Sequence, residues 1–583
     1  MPQPTPLPRG AHPATRLPRA LASPRGSPHA PGPGRGDRGR WPPACSLHLL
    51  GCVDLKALIE GLASPAAYPH PADPLEIRQT HISVVALAGD YAYKVKKPVD
   101  LGFLDFTSLD KRLHYCREEV RLNRRLAPDV YKGVVPLTTS GGELSVGGGG
   151  TPTEYAVKMI RLPESATLLG RLQRGELNAA MMEALGRRIA AFHQEAESGP
   201  EVDRYGRWEV VAGNARENLT QSRSYVGTSL SAPVLIRLER ALQGRLEAHR
   251  HLIERRAAAH VPRDTHGDLH LAHVYVFPER APPRDFVIID CIEFNERFRY
   301  ADPVADMAFL VMDLLSHNRW DLAEPFVDEY FRATGDAEGR RLLAFYVAYR
   351  AAVRGKVEAM TAQDEDVSPE QRREAIRRAR GHWLLALSEL EGPRQRPGVV
   401  LIGGLPGTGK TTLAGDLANE VGCRLVSSDR VRKELAGIDP ETPAAAAYGE
   451  GIYTDEWNDR TYAACLEAAE ALVFEGERVI VDASFREAKR RRAFLEAAGT
   501  WGVRSLLLMC EADPPVVRER LSRRRGNASD ADWHVHAEAA RTWEAGGAPN
   551  PRWLQSVPTG GGRAAAVAAA LRHLRTVGLA APA

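Results

Sequence analysis

Residues 404–411 read GLPGTGKT, between the apolar run 399–402 and the helix-patterned stretch 412–420. A buried-type strand, a glycine-rich loop and a helix in that order form a phosphate-binding loop. Gly404, Gly407 and Gly409 let the backbone curl so that its N–H groups point at phosphate oxygens. Pro406, Thr408 and Thr412 belong to the same cradle. Lys410 is placed to reach the β- and γ-phosphates, and the Thr411 hydroxyl to hold Mg²⁺. The helix adds the partial positive charge of its N-terminal end. The chain is therefore expected to bind a nucleoside triphosphate near residue 410, with ATP and Mg²⁺ as cofactors.

Working outward, strands over 399–402, 424–427, 478–482 and 504–509 alternate with helical stretches, which predicts a parallel α/β sheet. In such sheets the carboxyl ends of the strands face the ligand crevice. The sequence LVSSD (425–429) is expected to end a strand on Asp429, where a carboxylate can take a proton from a substrate hydroxyl. Arg432 follows and can hold an anionic group. The alternative for Asp429 is a cap on the helix starting at residue 430. RVIVD (478–482) ends a second strand on Asp482, the expected ligand of Mg²⁺-bound water. Arg518, Arg520, Arg523, Arg524 and Arg525 lie on and after a helix. They suit a lid that neutralises charge on a transferring phosphoryl group, with Arg520 and Arg524 the candidates for nucleotide contact.

The 583 residues suggest more than one domain. Apolar content of 44% and charged content of 26% are those of a globular chain. The net charge is +3, but residues 1–44 hold seven arginines and one acidic residue, so the remainder is slightly acidic. That excludes a nucleic-acid coat protein. Residues 1–44 are rich in Pro, Gly and Arg, and a disordered extension is expected through residue 52. Seven scattered cysteines without a CxxC pair argue against a disulfide framework or a zinc site. With no apolar run of membrane-spanning length and no apolar leader, the expected location is the cytoplasm.

Upstream of the loop, a helix is expected over 53–62, paired strands over 81–97 with a turn at 88–90, and a charged helix over 109–126. Strands follow at 134–138 and 154–160, flanking a glycine-rich tip. Residues 176–260 and 303–390 read as helical, with a short buried-type strand at 285–292. GPRQRP (392–397) is the expected domain boundary.

GLPGTGKT, SSDRVRKEL, VIVDASF and RERLSRRR together resemble the AAA-type phosphate-loop kinases, close to the polynucleotide 5′-kinase, gluconate kinase and antibiotic-kinase group. The resemblance covers residues 397–575. It implies that Lys410 and Thr411 hold ATP and Mg²⁺, that Asp429 meets the acceptor hydroxyl, and that lid arginines meet the phosphates.

Residues 266–273 read HGDLHLAH and residues 288–295 read IIDCIEFN. Phosphoryl transfer of the kinase type needs one carboxylate beside the acceptor hydroxyl and another on Mg²⁺. A loop Asp268 followed by a strand-terminal Asp290 supplies both. The pattern resembles the aminoglycoside phosphotransferase and choline kinase branch of the protein-kinase-like fold, over residues 53–391. The resemblance implies that Asp268 is the catalytic base and Asp290 the Mg²⁺ ligand. It also implies that Lys94 pairs with ATP phosphates and is held by Glu119. Lys96 shares a strand face with Lys94, and Glu118 competes with Glu119.

One position departs from the family. Five residues after the catalytic Asp it places a metal-binding Asn, where this chain has His273, and imidazole is a poor ligand for Mg²⁺. Glu293 or Asn295 would compensate. Asp302 and Asp306 are expected to support the loop, His266 and His270 to orient it, and Asp313 to face solvent. The expected architecture is a bilobal protein-kinase-like fold followed by a parallel α/β phosphate-loop domain. The expected activity is phosphorylation of a small-molecule hydroxyl, such as a sugar, a nucleoside-like compound or an antibiotic. A 5′-hydroxyl nucleic-acid kinase is the second reading, disfavoured by the lack of an extended basic surface. An ATPase switch beside a ligand-binding pseudokinase is the third. No membrane partner is expected.

Overall fold

The computed structural model describes residues 54–582 apart from 366, 440–441, 443–449, 524–532 and 549. The expected N-terminal extension and Arg524 lie outside the described residues. Residues 53–583 form one compact unit.

The unit opens with α1 (Leu55–Leu62), capped by the Asp54 carboxylate. A six-stranded antiparallel sheet follows, from β1 (Leu75–Gln79), β2 (Ser83–Ala88) and β3 (Tyr91–Lys96). Helix α2 (Leu109–Asn123) precedes β4 (Tyr131–Ser140), β5 (Glu143–Val146) and β6 (Pro152–Ile160). The spatial order is β1-β2-β3-β6-β4-β5, so the last strand in the sequence lies centrally, between β3 and β4. Residues 140–151, expected as a loop or hairpin tip, contain β5. β1 was not legible, because LEIRQ offers only two apolar residues, Leu75 and Ile77, on its half-buried face and carries Glu76 and Arg78 on the exposed one.

A helical lobe follows, with α3 (Leu168–Gln173), α4 (Ala179–Glu195), α5 (Pro200–Gly206), α6 (Trp208–Gln221) and α7 (Ala232–Ala258). Short segments then carry the HGD and IID sequences: β7 (Arg263–Asp264), β8 (Val274–Val276), β9 (Phe286–Ile288), α8 (Glu296–Arg299) and β10 (Tyr300–Ala301). Helices α9 (Pro303–Ser316), α10 (Trp320–Thr334), α11 (Leu343–Gln363) and α12 (Pro369–Leu390) complete the lobe. α9 is buried on nearly every face, as its run of apolar residues requires.

The second half contains β11 (Gly398–Gly403), α13 (Lys410–Val421), β12 (Arg424–Ser427), α14 (Ser428–Leu435), α15 (Asp455–Phe474), β13 (Arg478–Asp482) and α16 (Ala488–Thr500). β14 (Arg504–Glu511), α17 (Pro514–Ser522), α18 (Trp533–Arg541), β15 (Leu554–Pro558) and α19 (Arg563–Thr576) follow. All pairings are parallel, in the order β12-β13-β11-β14-β15. One strand expectation is corrected. β12 ends at Ser427, and Asp429 lies in the first turn of α14, because two serines and an Asp favour a helix start over an extended chain.

The two halves share a core. A single buried apolar cluster runs from Leu185 and Phe309 through Trp383 and Leu387 to Val479 and Leu507. Residues 381–390 of α12 are buried all round. Gly381 is required there, since a Cβ would lie 2.5 Å from the Thr500 carbonyl oxygen at the end of α16. Arg237 of α7 donates to Glu391 and to the carbonyls of Gly476 and Gln395. Among the described residues no helix is long and apolar enough to cross a membrane.

Candidate active sites

In the first half, β3 presents Lys94 and Lys96 on one face, two residues apart. α2 runs behind the sheet and buries Cys116, Glu119, Val120 and Asn123 along one stripe. Glu119 reaches both ammonium groups, Lys94 at 3.0 Å and Lys96 at 2.8 Å. Lys94 also pairs with Asp290, and Lys96 with Glu293. Glu118 lies off that stripe and pairs with Arg121. Burial disfavours the Lys94 ammonium, but Asp290, Glu119 and Glu293 together hold its pKa well above the usual lysine value. Burial alone would raise Asp290; Lys94 and His273 outweigh it and keep the carboxyl well below the usual range.

The HGD loop is held from below by α9. The Asp306 carboxylate accepts the N–H groups of His266 at 3.1 Å and Gly267 at 2.8 Å. His193, 3.0 Å from Asp306, is itself fixed by the Tyr330 hydroxyl at 2.9 Å. Burial opposes ionisation of Asp306, but His193 and His266 bring its pKa down to about 2. Gly267 has φ +85°, and a Cβ there would lie 2.9 Å from the Phe298 carbonyl. His266 accepts the Asp268 N–H on Nδ1 and donates from Nε2 to the Ile289 carbonyl at 2.9 Å. It therefore ties the Asp268 loop to the Asp290 turn. Asp313, expected in solvent, is instead part-buried and accepts the Leu271 N–H at 2.9 Å, because the loop that carries Leu271 lies over that turn of α9. Asp302 caps α9 and pairs with Arg256.

Asp290 adopts φ +65°, a left-handed conformation rare outside glycine and typical of functional sites. Its N–H donates to the Tyr131 hydroxyl, and the next N–H donates to Asn123 of α2. His273 lies between the two aspartates. Its Nδ1 is 3.0 Å from the Asp268 carbonyl, and its Nε2 is 3.5 Å from the Asp290 carboxylate. Burial and the adjacent His270 lower the His273 pKa to about 4. The His270 ring lies 3.8 Å from that of His273, tilted by 34°, and faces the Asp268 carboxylate at 3.6 Å. Burial opposes the Asp268 charge, yet His270 and His273 hold its pKa well below the usual range. Neither expected substitute joins His273: Glu293 is taken by Lys96, and Asn295 caps α8 and donates to the Phe103 carbonyl. Asp290 suits a hard Mg²⁺; the imidazole of His273 does not.

In the second half the loop after β11 is a glycine cradle. Gly404, Gly407 and Gly409 have φ of +139°, +81° and +93°. A Cβ at Gly404 would lie 2.7 Å from the Cys510 carbonyl, and one at Gly407 would lie 2.8 Å from Val517 of α17. Thr408 is buried, while Thr411 and Thr412 are exposed on the first turn of α13. Lys410 rests 3.4 Å from the Leu405 carbonyl. Asp482 ends β13 beside Ile402 and Ser427 of the neighbouring strands. The cradle fits a triphosphate, and the oxygen donors Thr411 and Asp482 fit Mg²⁺.

Arg520 of α17 donates to the Thr408 carbonyl at 3.3 Å and to the Thr559 carbonyl at 2.6 Å. Arg518 stacks on Trp533 at 4.2 Å, and Arg523 pairs with Glu519 in solvent. Of the described arginines in this cluster, Arg520 is therefore the one on the phosphate loop. Arg432 is buried one turn beyond Asp429, donates to the Ile452 carbonyl at 2.8 Å and lies over Tyr453 at 5.1 Å. Two loop contacts escaped the sequence reading. His536 bonds the Pro406 carbonyl at 2.7 Å, and the Thr559 hydroxyl donates to the Thr408 carbonyl at 2.5 Å. Thr559 follows β15, so reading LQSVP as a fifth parallel strand would have placed it at the crevice. A crevice of about 850 Å³ lined by Arg319, Asp321, Glu329, Arg332 and Arg552 shares no residue with either site.

A strand lysine, a helix glutamate and paired aspartates under an antiparallel sheet, joined to a glycine cradle on a parallel one, define a chain of two kinase-like domains. The sequence patterns agree. Residues 106–346 match the phosphotransferase enzyme family, and residues 399–545 match an AAA domain. The chain belongs to the family of an uncharacterized protein of Mycobacterium tuberculosis (strain ATCC 25618 / H37Rv), to which it is 32% identical over 485 residues. That match spans 82% of this chain and 93% of the relative. A choline/ethanolamine kinase family protein from Mesorhizobium loti is similar at 14% identity and a TM-score of 0.35, over 57% of this chain and 99% of that one. A gluconokinase from Sinorhizobium meliloti 1021 is similar at 21% identity and a TM-score of 0.24, over 31% of this chain and 94% of that one.

Proposed function

We propose that the chain is an ATP-dependent phosphotransferase with two nucleotide sites, each passing a phosphoryl group to a hydroxyl of a small molecule. The observation that carries this is the unbroken run of ion pairs Lys96–Glu119–Lys94–Asp290 facing Asp268. Such a run fixes a phosphate-binding ammonium and two carboxylates at one place before any ligand arrives. Bound ATP with its divalent ion supplies the phosphoryl group and part of the charge neutralisation.

In the first site, Lys94 binds phosphate oxygens and Glu119 aims it. Asp290 offers its carboxylate to the divalent ion. Asp268 takes the proton from the acceptor hydroxyl, and its low pKa keeps it ionised and able to accept. In the second site, the backbone N–H groups of residues 404–412 and Lys410 bind the phosphates, and Thr411 and Asp482 hold Mg²⁺. Asp429 receives the acceptor proton, Arg432 holds an anionic part of the acceptor, and Arg520 closes the loop.

The test is mass-spectrometric screening of a metabolite and antibiotic pool for an ATP-dependent gain of one phosphate, with wild type, Asp268→Ala and Lys410→Ala. Two separate products, each lost in one variant, are expected. If Asp268→Ala changes nothing while Lys410→Ala abolishes all transfer, the first domain is a ligand-binding module instead, a reading that His273 favours.

A further inference from the structure

We infer that the first site takes a borderline first-row divalent ion such as Mn²⁺ in preference to Mg²⁺, held between His273 Nε2 and Asp290 Oδ2. The inference rests on reading that domain as a nucleotide site, and it concerns which ion the site selects.

The tautomer of His273 is fixed by its neighbour. A carbonyl oxygen can only accept, so the Asp268 carbonyl at 3.0 Å places the imidazole proton on Nδ1. That leaves the Nε2 lone pair directed at Asp290. Orientation of a ring through its other nitrogen is the usual arrangement of a metal-binding histidine. Asp290 is divided in the same way. Its Oδ1 pairs with Lys94, and its Oδ2 is the atom facing His273.

Two electron-rich atoms thus face each other at 3.5 Å. That separation is too long for a direct hydrogen bond. Two ligands about 2.1 Å from one ion lie about 3.0 Å apart at a right angle and about 3.4 Å apart at the tetrahedral angle. The gap therefore has the width that a shared ion requires. Asp290 is held there in a strained conformation, and His273 is anchored at both backbone ends. Its N–H donates to the His270 carbonyl, and its carbonyl accepts the Ile289 N–H, both at 3.0 Å.

Asp268, His270 and His273 also bring ligand atoms together, but that grouping is a weaker site. His270 Nδ1 accepts the Ala272 N–H, so its Nε2 carries a proton toward Asp268. His270 is therefore a partner of the base, and Asp268 stays free for the acceptor. A mixed imidazole–carboxylate pair suits borderline ions, whereas Mg²⁺ demands oxygen throughout.

The experiment uses the full chain carrying Thr411→Ala, which removes the metal-binding hydroxyl of the second site. Mn²⁺ is titrated with and without an ATP analogue, and bound Mn²⁺ is read by pulsed electron paramagnetic resonance. A nitrogen coupling from one coordinated imidazole is expected, with Mn²⁺ retained against about a tenfold excess of Mg²⁺. His273→Asn is expected to abolish the coupling and shift the competition toward Mg²⁺ by about tenfold or more. Absence of the coupling in the parent protein overturns the inference without reliance on any variant at residue 273. So does an unchanged Mn²⁺/Mg²⁺ competition in His273→Asn. A clear coupling in a protein that yields no Asp268-dependent product leaves the ion site standing and removes the kinase reading of that domain.

Discussion

His382 lies inside the fully buried half of α12, and its Nδ1 finds no hydrogen-bond partner among the described residues. Burial, with the Arg354 guanidinium nearby, lowers its pKa to about 4. The folded chain therefore keeps this ring neutral while the unfolded chain protonates it near the ordinary histidine value of about 6.5. Between those two values the unfolded state binds more protons, so stability falls as pH drops through that window and levels off below it. One such group contributes about 3 kcal/mol over the window. His382→Gln is expected to flatten the slope of urea-unfolding free energy between pH 6.5 and 4 by about one proton. Equal slopes in the two proteins would refute this. Glu119 carries a different prediction. It is the carboxylate shared by Lys94 and Lys96, so Glu119→Gln leaves two buried ammonium groups competing for Asp290 and Glu293. We expect about 3 kcal/mol lower stability and at least about a hundredfold slower transfer by the first site, with the second site unaffected. The choice of Glu119 over Glu118 was open in the sequence, although the stripe Cys116, Glu119, Val120, Asn123 has helical spacing. The role of Asp313 was not legible, because its partner is a backbone N–H of a loop far away in sequence.

At the scale of elements, the phosphate loop and α17 are one device. Gly407 lies under Val517 and Leu521, and Arg520 beside them ties Thr408 to Thr559. A methyl group at residue 407 has φ +81° against it and Val517 at 2.8 Å. Gly407→Ala is therefore expected to lift α17 from the loop. Isothermal titration with an ATP analogue should show second-site affinity weakened by about tenfold or more, because the site then has to be reassembled on binding. The overall helix content should stay unchanged. Unaltered affinity would mean that the loop and α17 are independent. Glycines made this loop readable, since their positions encode backbone shape directly. The strands β11, β12, β13 and β14 were readable too, as apolar runs between helical stretches. β15 and the pinning of the loop by Thr559 were not, because LQSVP has a weak apolar pattern and gains its pairing only from β14. The cluster of arginines pointed to α17, which packs on the loop; of the two candidates Arg520 and Arg524, Arg520 bonds the loop carbonyl of Thr408, and Arg524 lies outside the described residues.

For the molecule as a whole, the residues 392–397 that break the sequence pattern do not separate two independent bodies. Arg396 turns back to donate to the Ser388 carbonyl, and Arg504 of β14 joins Glu389 while stacking on Trp320 of α10. Trp383, Leu384 and Leu387 of α12 belong to the same buried cluster as Val479 and Leu507 of the parallel sheet. A break in composition marks where one family pattern ends, but it carries no information on whether the faces across it are apolar. Here the run Trp383–Leu387 makes α12 apolar on every face, and that is the signal that a second body must cover it. Separating the halves would expose this surface to water at about 25 cal/mol for each Å². The full chain is therefore expected to unfold in a single calorimetric transition, and an ATP analogue should raise the same midpoint whether Lys410→Ala or Asp290→Ala leaves only one site. Gly381→Val tests the joint itself. Its side chain would meet the Thr500 carbonyl at 2.5 Å, so overpacking of about 1–3 kcal/mol is expected to lower that one midpoint. Two resolved transitions in wild type, or a Gly381→Val protein in which only one of two transitions moves, would show that the halves fold apart and that the shared core does not couple them.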